Sequence, residues 1–582
     1  MTKPGHERRP HIFYVATLSL LTLFMTLPGI ANLPVIDRDE ARYAQAAVQM
    51  VESGDYLNIR FQNEARNRKP AGIYWMQAAG VKAFTDPGER EIWAHRIPSV
   101  LGALIAVLAT YWGGGAMLGR RGAFLGASVL AVSALFVFEA HIAKTDAMLC
   151  AMCTIILAAL MRLRRADSGQ IAFGLWLALG IGIMIKGPVA PALLIITLIT
   201  LAVWERGTSW MKRILSGPGI IVALLLTVPW AILIHLETDG AFFRDAIGGD
   251  FAPKLVSGQE KHGALPGYYL LTLPILFFPG TLILFPSLVF AWKSMRHDGS
   301  GISPLAQHVR ILLAWLLPFW AILEFVPTKL PNYLLPAYPA LSLLCGGALS
   351  AILSTKCFTA SKRIGAVLYF LIAIVLLTVV LAVEALYADP NPLSAVAGLS
   401  VLALIFTTLV TAWTHRAGPA IIATGLSTLI LSTLTYQSVL PRSSALQVSR
   451  LVENALGEAD IKLPRENGPN VGSPHFTEPS LVYRLGTNIF LGENVKTHMF
   501  ENPQEEDIIL IDSRAGTPDL WQQLADTQYG YSNLCLEAKG NVKGMNYSRG
   551  DEVSIAILRA QTCEMPIDPL SWPELPTNRP DP

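Results

Sequence analysis

The chain has 582 residues, 52% of them hydrophobic and 15% charged, with a mean hydropathy of +0.43 and a formal net charge of +2. A soluble globular domain carries about 25% charged residues. The composition therefore excludes an ordinary soluble protein and points to an integral membrane protein with a polar remainder. So small a net charge gives no case for a nucleic-acid partner, and none is expected; membrane lipids are the expected surroundings.

Met1–Pro10 is basic and precedes a long apolar segment without a clear small-residue cleavage site. A retained first span, physically a signal anchor, is expected there. Apolar runs able to cross a bilayer, about 20 residues each, recur down to residue 440. They lie near 11–31, 97–118, 122–138, 147–161, 171–185, 188–204, 218–236, 267–292, 308–326, 332–353, 364–386, 393–413 and 419–439. That predicts a polytopic α-helical membrane protein of about thirteen transmembrane helices. With a cytoplasmic N-terminus, Arg120 and Arg121, Arg162, Arg164 and Arg165, Arg206, Lys212 and Arg213, Lys293 and Arg296, Lys356, Lys362 and Arg363, and Arg416 all fall in short inner loops. This is the bias that the positive-inside rule expects. An odd number of spans then leaves the C-terminus outside.

Two outer loops are long, 32–96 and 237–266. The first holds Glu40–Glu52, whose Ala44, Ala47, Val48 and Val51 form an apolar stripe. A helix lying in the membrane interface is predicted for it, and a second over Ile73–Phe84. From Pro441 the composition turns polar, which divides the chain into a transmembrane domain, 1–440, and an outward α/β domain, 441–582. Strands are predicted over Ser480–Arg484, Asp507–Ile511 and Glu552–Leu558, and helices over Ser443–Ala455 and Asp519–Ala525. The Pro-rich end from about Pro566 reads as loose. No internal repeat is evident.

Charged residues gather at the outer ends of the spans. The run Asp37-Arg38-Asp39-Glu40-Ala41-Arg42-Tyr43 follows the first span, and helical spacing puts Asp39, Arg42 and Tyr43 on one face. Arg66-Asn67-Arg68-Lys69-Pro70 comes next, followed by Tyr74-Trp75. Lys144-Thr145-Asp146 opens the fourth span, and Lys186-Gly187-Pro188 stands between the fifth and sixth. The second long loop offers Arg244, Lys254, Lys261 and His262, and Lys329-Leu330-Pro331-Asn332-Tyr333 precedes the tenth span. Ionisable groups at a membrane boundary are costly and call for a reason. Arg and Lys suit a phosphate, a carboxylate suits a general base, and fixed cations suit charge developing on a leaving group. The chemistry expected is transfer of a group from a phosphate-linked lipid. No G-x-x-x-x-G-K-[ST] and no H-E-x-x-H occurs, so an ATP-driven pump and a zinc protease have no support.

Asp39-Glu40-Ala41-Arg42-Tyr43-Ala44 after the first span, Lys69-Pro70 before Tyr74-Trp75, Lys186-Gly187-Pro188, and the run from Lys329 to Leu341 resemble the polyprenyl-phosphate-dependent GT-C glycosyltransferases. The likeness is greatest to the bacterial lipid A aminoarabinose (ArnT-like) transferases, relatives of the protein O-mannosyltransferases. It extends over nearly the whole chain. The resemblance implies a GT-C fold and an inner-membrane glycosyltransferase. The enzyme would move a sugar from an undecaprenyl-type phosphate carrier to lipid A or another periplasmic glycan, with inversion. It implies a multi-pass inner-membrane location with the C-terminal domain periplasmic. It assigns Asp39 as the catalytic acid/base. Lys69 would bind the carrier phosphate with Arg68 and Arg42, while Tyr43, Asp146, Lys186, His262 and Tyr333 line the donor or acceptor site. Where the aminoarabinose enzymes have Glu-Lys-Pro-Pro, this chain has Arg68-Lys69-Pro70-Ala71. That puts a metal there in doubt, so no metal ligand is assigned and a divalent cofactor stays open. It also opens the question of a different, anionic sugar.

Blander readings stand beside these. Asp39 caps a helix; Lys69 snorkels; Lys144 and Asp146 are a solvated pair; Lys186 marks a turn; His262 is a loop histidine; Tyr333 belongs to an aromatic belt. Cys150 and Cys153 form a C-x-x-C inside a span and read as packing. Cys535 and Cys563 lie in the outward domain and are expected to form a disulfide in an oxidising compartment. Two other functions remain: transfer of the sugar to protein or another surface glycan, and a secondary transporter or flippase. The last predicts functional charges in mid-span and repeated halves.

Overall fold

The computed structural model describes residues 8–205, 207–256, 263–296, 304–355, 359–414, 416–512 and 534–562. Helix α1 (Arg8–Thr26) is followed by α2 (Asp39–Ser53), α3 (Gly72–Phe84), α4 (Ile92–Gly115), α5 (Gly119–Ala131), α6 (Ala134–Ala140), α7 (Asp146–Arg165), α8 (Gly169–Lys186), α9 (Val189–Trp204) and α10 (Gly217–Glu237). Among the described residues nine helices are long and apolar enough to cross a membrane, or ten if α5 and α6, bent by 63°, are one span. Three shorter apolar helices, His11–Thr26, Val189–Trp204 and Thr281–Met295, accompany them.

Local chemistry sets the ends. α7 carries Asp146 in its first turn and Arg162, Arg164 and Arg165 in its last, each complementing the helix dipole. α8 starts on the Ser168 side chain, which accepts from the Ile171 amide, and stops at Gly187 with φ 60. The predicted 267–292 span is two helices, Tyr268–Leu276 and Thr281–Met295. The break contains Pro279, which has no amide to continue the ladder. Gly102 and Gly113 let α4 lie directly on α7: a Cβ at 102 would stand 2.8 Å from the Ala147 carbonyl carbon, and one at 113 would stand 2.6 Å from Ala158 Cβ. One buried cluster runs through this helical part from Leu18 to Val439.

Beyond it, five strands order as β4-β3-β5-β7-β6, after a two-residue ribbon β1 (Arg60–Phe61) and β2 (Glu64–Ala65) in the first long loop. β3 (Val471–Ser473) pairs parallel with β4 (Phe490–Leu491) and with β5 (Ile508–Asp512). β7 (Asp551–Thr562) pairs antiparallel with both β5 and β6 (Leu534–Asn546). Ile508, Ile509, Leu510 and Ile511 are all buried, so both faces of β5 are covered. One face meets the helices Val448–Glu458 and Pro479–Leu485, the other Val495 and Met499.

Three expectations are corrected. Residues 480–484 are helical, not a strand, in Pro479–Leu485; Pro479 at its first position and Gly486 after it are helix signals that outweigh the apolar alternation. The helix predicted over 443–455 begins at Val448. α2 does not lie on lipid: Ala44 and Val48 pack with Val35, Ile92 and Tyr483 of the C-terminal part. The helix predicted over 519–525 lies outside the described residues.

Candidate active site

Asp39 is the first residue of α2. Its neighbour Glu40 fixes the position of that turn. The Glu40 carboxylate is fully buried and accepts from Arg96 Nε at 2.8 Å and Nη2 at 2.9 Å, from the Ile36 amide at 2.7 Å, and from the Ala143 amide at 2.7 Å. Arg96, also fully buried, donates in addition to the carbonyls of Ile30, Leu33 and Pro34. A buried carboxylate is tolerated only when paired and hydrogen-bonded. Here the pairing ties together the segment before α2, the start of α4 and the 141–145 turn.

That turn carries Lys144 toward Asp39. Lys144 Nζ lies 3.7 Å from Glu139 Oε2 and 3.8 Å from Asp146 Oδ2. Lys186 Nζ donates to Asp146 Oδ1 at 2.5 Å and sits 5.5 Å above the Tyr333 ring. Arg66, buried, donates from Nε to Tyr74 Oη at 3.2 Å and stacks 5.3 Å from the Tyr43 ring. Lys69 Nζ pairs with Asp250 Oδ2 at 2.5 Å, and Lys254 Nζ with Asp250 Oδ1 at 2.6 Å.

The electrostatics follow from these contacts. Burial works to raise the Asp39 carboxyl, but Lys144, Arg66 and Arg42 outweigh it and hold the group below the usual carboxylate range. Burial works to lower Lys144, yet Glu139, Asp146 and Asp39 raise it. Burial pushes the Lys69 ammonium below its ordinary value, with Asp250 opposing and Lys254 and Lys186 adding to the shift. Burial raises the Tyr43 phenol well above its ordinary value. At neutral pH Asp39 is thus an ionised acceptor among fixed cations.

The structure brings Asp39, Arg42, Tyr43, Asp146, Lys186, Tyr333 and Lys69 into one charged region. Arg68, assigned with Lys69 to the phosphate, is exposed; the buried cation of that turn is Arg66. His262 lies outside the described residues, as does Cys563. Cys150, Cys153 and Cys345 are buried free thiols, in keeping with a packing role. Lys329 caps a helix end, donating to the Glu324 carbonyl at 2.7 Å and the Val326 carbonyl at 2.6 Å. Sequence reasoning missed Glu139 and Asp250, the carboxylates opposite Lys144 and Lys69, because neither stands in a motif. Two acids facing several lysines along the outer span ends was the only signal that partners had to exist. Among the described residues no group of three His, Cys, Asp or Glu is arranged to hold a metal ion.

A family model described as dolichyl-phosphate-mannose-protein mannosyltransferase matches residues 68–233. The chain is 29% identical over 337 residues to an undecaprenyl phosphate-alpha-4-amino-4-deoxy-L-arabinose arabinosyl transferase of Pseudomonas fluorescens, covering 56% of this chain and 58% of the relative. It is 26% identical over 342 residues to the enzyme of that name from Edwardsiella ictaluri, covering 58% of each. The match thus spans little more than half the length of these relatives. In fold it resembles ArnT from Cupriavidus metallidurans bound to undecaprenyl phosphate, with a TM-score of 0.71 at 18% identity over 94% of this chain and 97% of that one. The Archaeoglobus fulgidus oligosaccharyltransferase follows at 0.51 and 11% identity, over 88% and 71%. The chain is therefore similar in fold to the GT-C glycosyltransferases over nearly its whole length, and in sequence to the ArnT-type aminoarabinose transferases over about half of it.

Proposed function

We propose that the protein is an inner-membrane glycosyltransferase that moves a sugar from a polyprenyl phosphate carrier to lipid A or another lipopolysaccharide group on the periplasmic face. The observation that carries this reading is the ionised Asp39 surrounded by Lys144, Arg66 and Arg42, with the Lys69 and Lys186 ammonium groups beyond. The relatives' names support the polyprenyl phosphate carrier. The acceptor oxygen attacks the anomeric carbon and forms the new glycosidic bond. The bond from that carbon to the carrier phosphate oxygen breaks, and its electron pair stays on the phosphate. Lys69 and Lys186 stabilise that charge. When the acceptor is a hydroxyl, Asp39 takes its proton; when it is an ionised phosphate, Asp39 orients it. Direct displacement inverts the anomeric centre. Arg42, Tyr43, Asp146, Tyr333, His262 and Arg68 contribute to donor or acceptor binding.

The bent pair and the three shorter helices, taken as spans beside the nine long ones, make thirteen. With the basic loops inside, the N-terminus is cytoplasmic and 441–582 a periplasmic domain with a Cys535–Cys563 disulfide.

Mass spectrometry of lipid A and core oligosaccharide from a deletion strain tests the reading. A sugar mass lost on deletion is expected to return with the wild type and to stay absent with Asp39→Ala or Lys69→Ala. Unchanged lipid with altered glycoproteins or surface polysaccharide moves the acceptor. No change in any glycan contradicts the reaction class.

A further inference from the structure

Arg38 stands directly before the helix that begins with Asp39, and its backbone has φ 67 and ψ −99. A non-glycine residue in that region is strained and persists only where its surroundings over-determine it. The surroundings here come from a segment 510 residues away. β6 and β7 form a hairpin in which Asn546 opposes Asp551. At its tip, Tyr547 Oη accepts from the Asp37 amide at 2.6 Å, and the Ser548 carbonyl accepts from Arg38 Nη2 at 2.8 Å. From the other side the Ser480 amide donates to Asp37 Oδ1 at 3.1 Å. The tip is itself anchored: Asn546 Nδ2 and Ser548 Oγ donate to the buried Glu478 Oε1 at 3.0 and 2.7 Å.

We propose that this hairpin tip positions the Asp39 carboxylate, with Tyr547 and Ser548 acting as positioning residues that set the backbone of residues 37 and 38. The proposal rests on the role given to Asp39 above. Simple docking of the C-terminal domain does not need these bonds, because the seam has other holders. Gln45 Nε2 donates to Thr487 Oγ1 at 2.8 Å, and Gln62 Nε2 donates to the Thr487 and Ile489 carbonyls at 3.1 and 2.6 Å. Tyr483 packs against Ala41, Ala44 and Val48 of α2. Glu40 holds the turn from the C-terminal side of Asp39; the tip bonds, with the Ser480 amide, are the ones that reach Asp37 and Arg38 on its N-terminal side.

The test uses the full chain in lipid nanodiscs, with hydrogen–deuterium exchange over residues 36–43 and transfer kinetics from an undecaprenyl phosphate sugar to lipid A. Tyr547→Phe removes one acceptor. It is expected to speed exchange across 36–43 and to lower kcat, each roughly fivefold as for one lost hydrogen bond, with KM for the donor unchanged. Thr487→Val loosens the same seam elsewhere and is expected to change neither. Unchanged exchange in Tyr547→Phe overturns the proposal, as does an equal rise over 36–43 in Thr487→Val, which marks plain docking. A wild type that transfers no sugar fails the functional reading instead, and the pair of exchange measurements still decides the positioning.

Discussion

Asp37 shows what a single residue at a seam contributes. Its carboxyl is pushed up to about 6, first by burial and then by Glu478, while Ser480 and Arg38 pull it down. Tyr547, from the hairpin, faces the same group and gives it no charge at neutral pH. A carboxyl whose pKa is raised in the docked state holds a proton that the undocked state has lost. Docking is therefore strongest below about pH 4 and weakens as pH rises toward 6, then stays level. Holding that proton in the docked state is worth about 1 kcal/mol, since Asp37 is partly exposed and its charge partly screened. Asp37→Asn is expected to abolish the dependence and to strengthen docking at pH 7.5. Protease resistance of the C-terminal domain between pH 4.5 and 7.5 measures it; a slope that survives in the variant points to another group. At this scale the sequence was informative about charge and poor about direction. That Asp39, Lys69, Asp146 and Lys186 gather in one region was legible because charges at span ends are costly. That Arg66 is buried and Arg68 exposed was not legible, because nothing in an irregular turn tells which of two arginines points inward.

Among elements, α4 and α7 matter most for the site, since α7 begins at Asp146. Their backbones meet through Gly102 and Gly113, the close approach that small residues permit between membrane helices. Gly102→Ala forces a shift beside Ala147, one residue from Asp146. An overpacked contact costs about 1–3 kcal/mol, and transfer activity is expected to fall at least tenfold as Asp146 moves. Gly115→Ala, with open space around its Cβ position, serves as the control. Melting temperature and activity of the two purified variants decide the matter; equal behaviour would show that the contact is slack. The elements were legible where one pattern ran long enough. α2 was read as a helix from its apolar stripe, and correctly so. That its stripe meets Ile92 and Tyr483 rather than lipid was not legible, because a hydrophobic face looks alike whichever apolar partner covers it.

For the whole molecule, hydropathy pointed to the helices and the polar composition of the C-terminal part to an α/β fold there, because span length and backbone satisfaction leave a membrane chain few options. The sheet order was not legible, since pairing β3 with β5 and β5 with β7 depends on contacts far apart in sequence. Orientation is a whole-molecule property as well. Alkaline phosphatase fused after residue 440 is expected to be active, and the same reporter after residue 165 inactive; the reverse pattern would invert the topology.

The hairpin contact also bears on the order of synthesis. Asp37 and Arg38 leave the ribosome 510 residues before Tyr547 and Ser548. Domains fold as units in the order they are made, so the helices settle in the bilayer, with Glu40 already held by Arg96, while Asp37 and Arg38 still lack their hairpin partners. The backbone before Asp39 is thus settled late in assembly. A chain arrested before β6 would be inserted and folded through its membrane part, yet still without the contacts that hold Asp37 and Arg38.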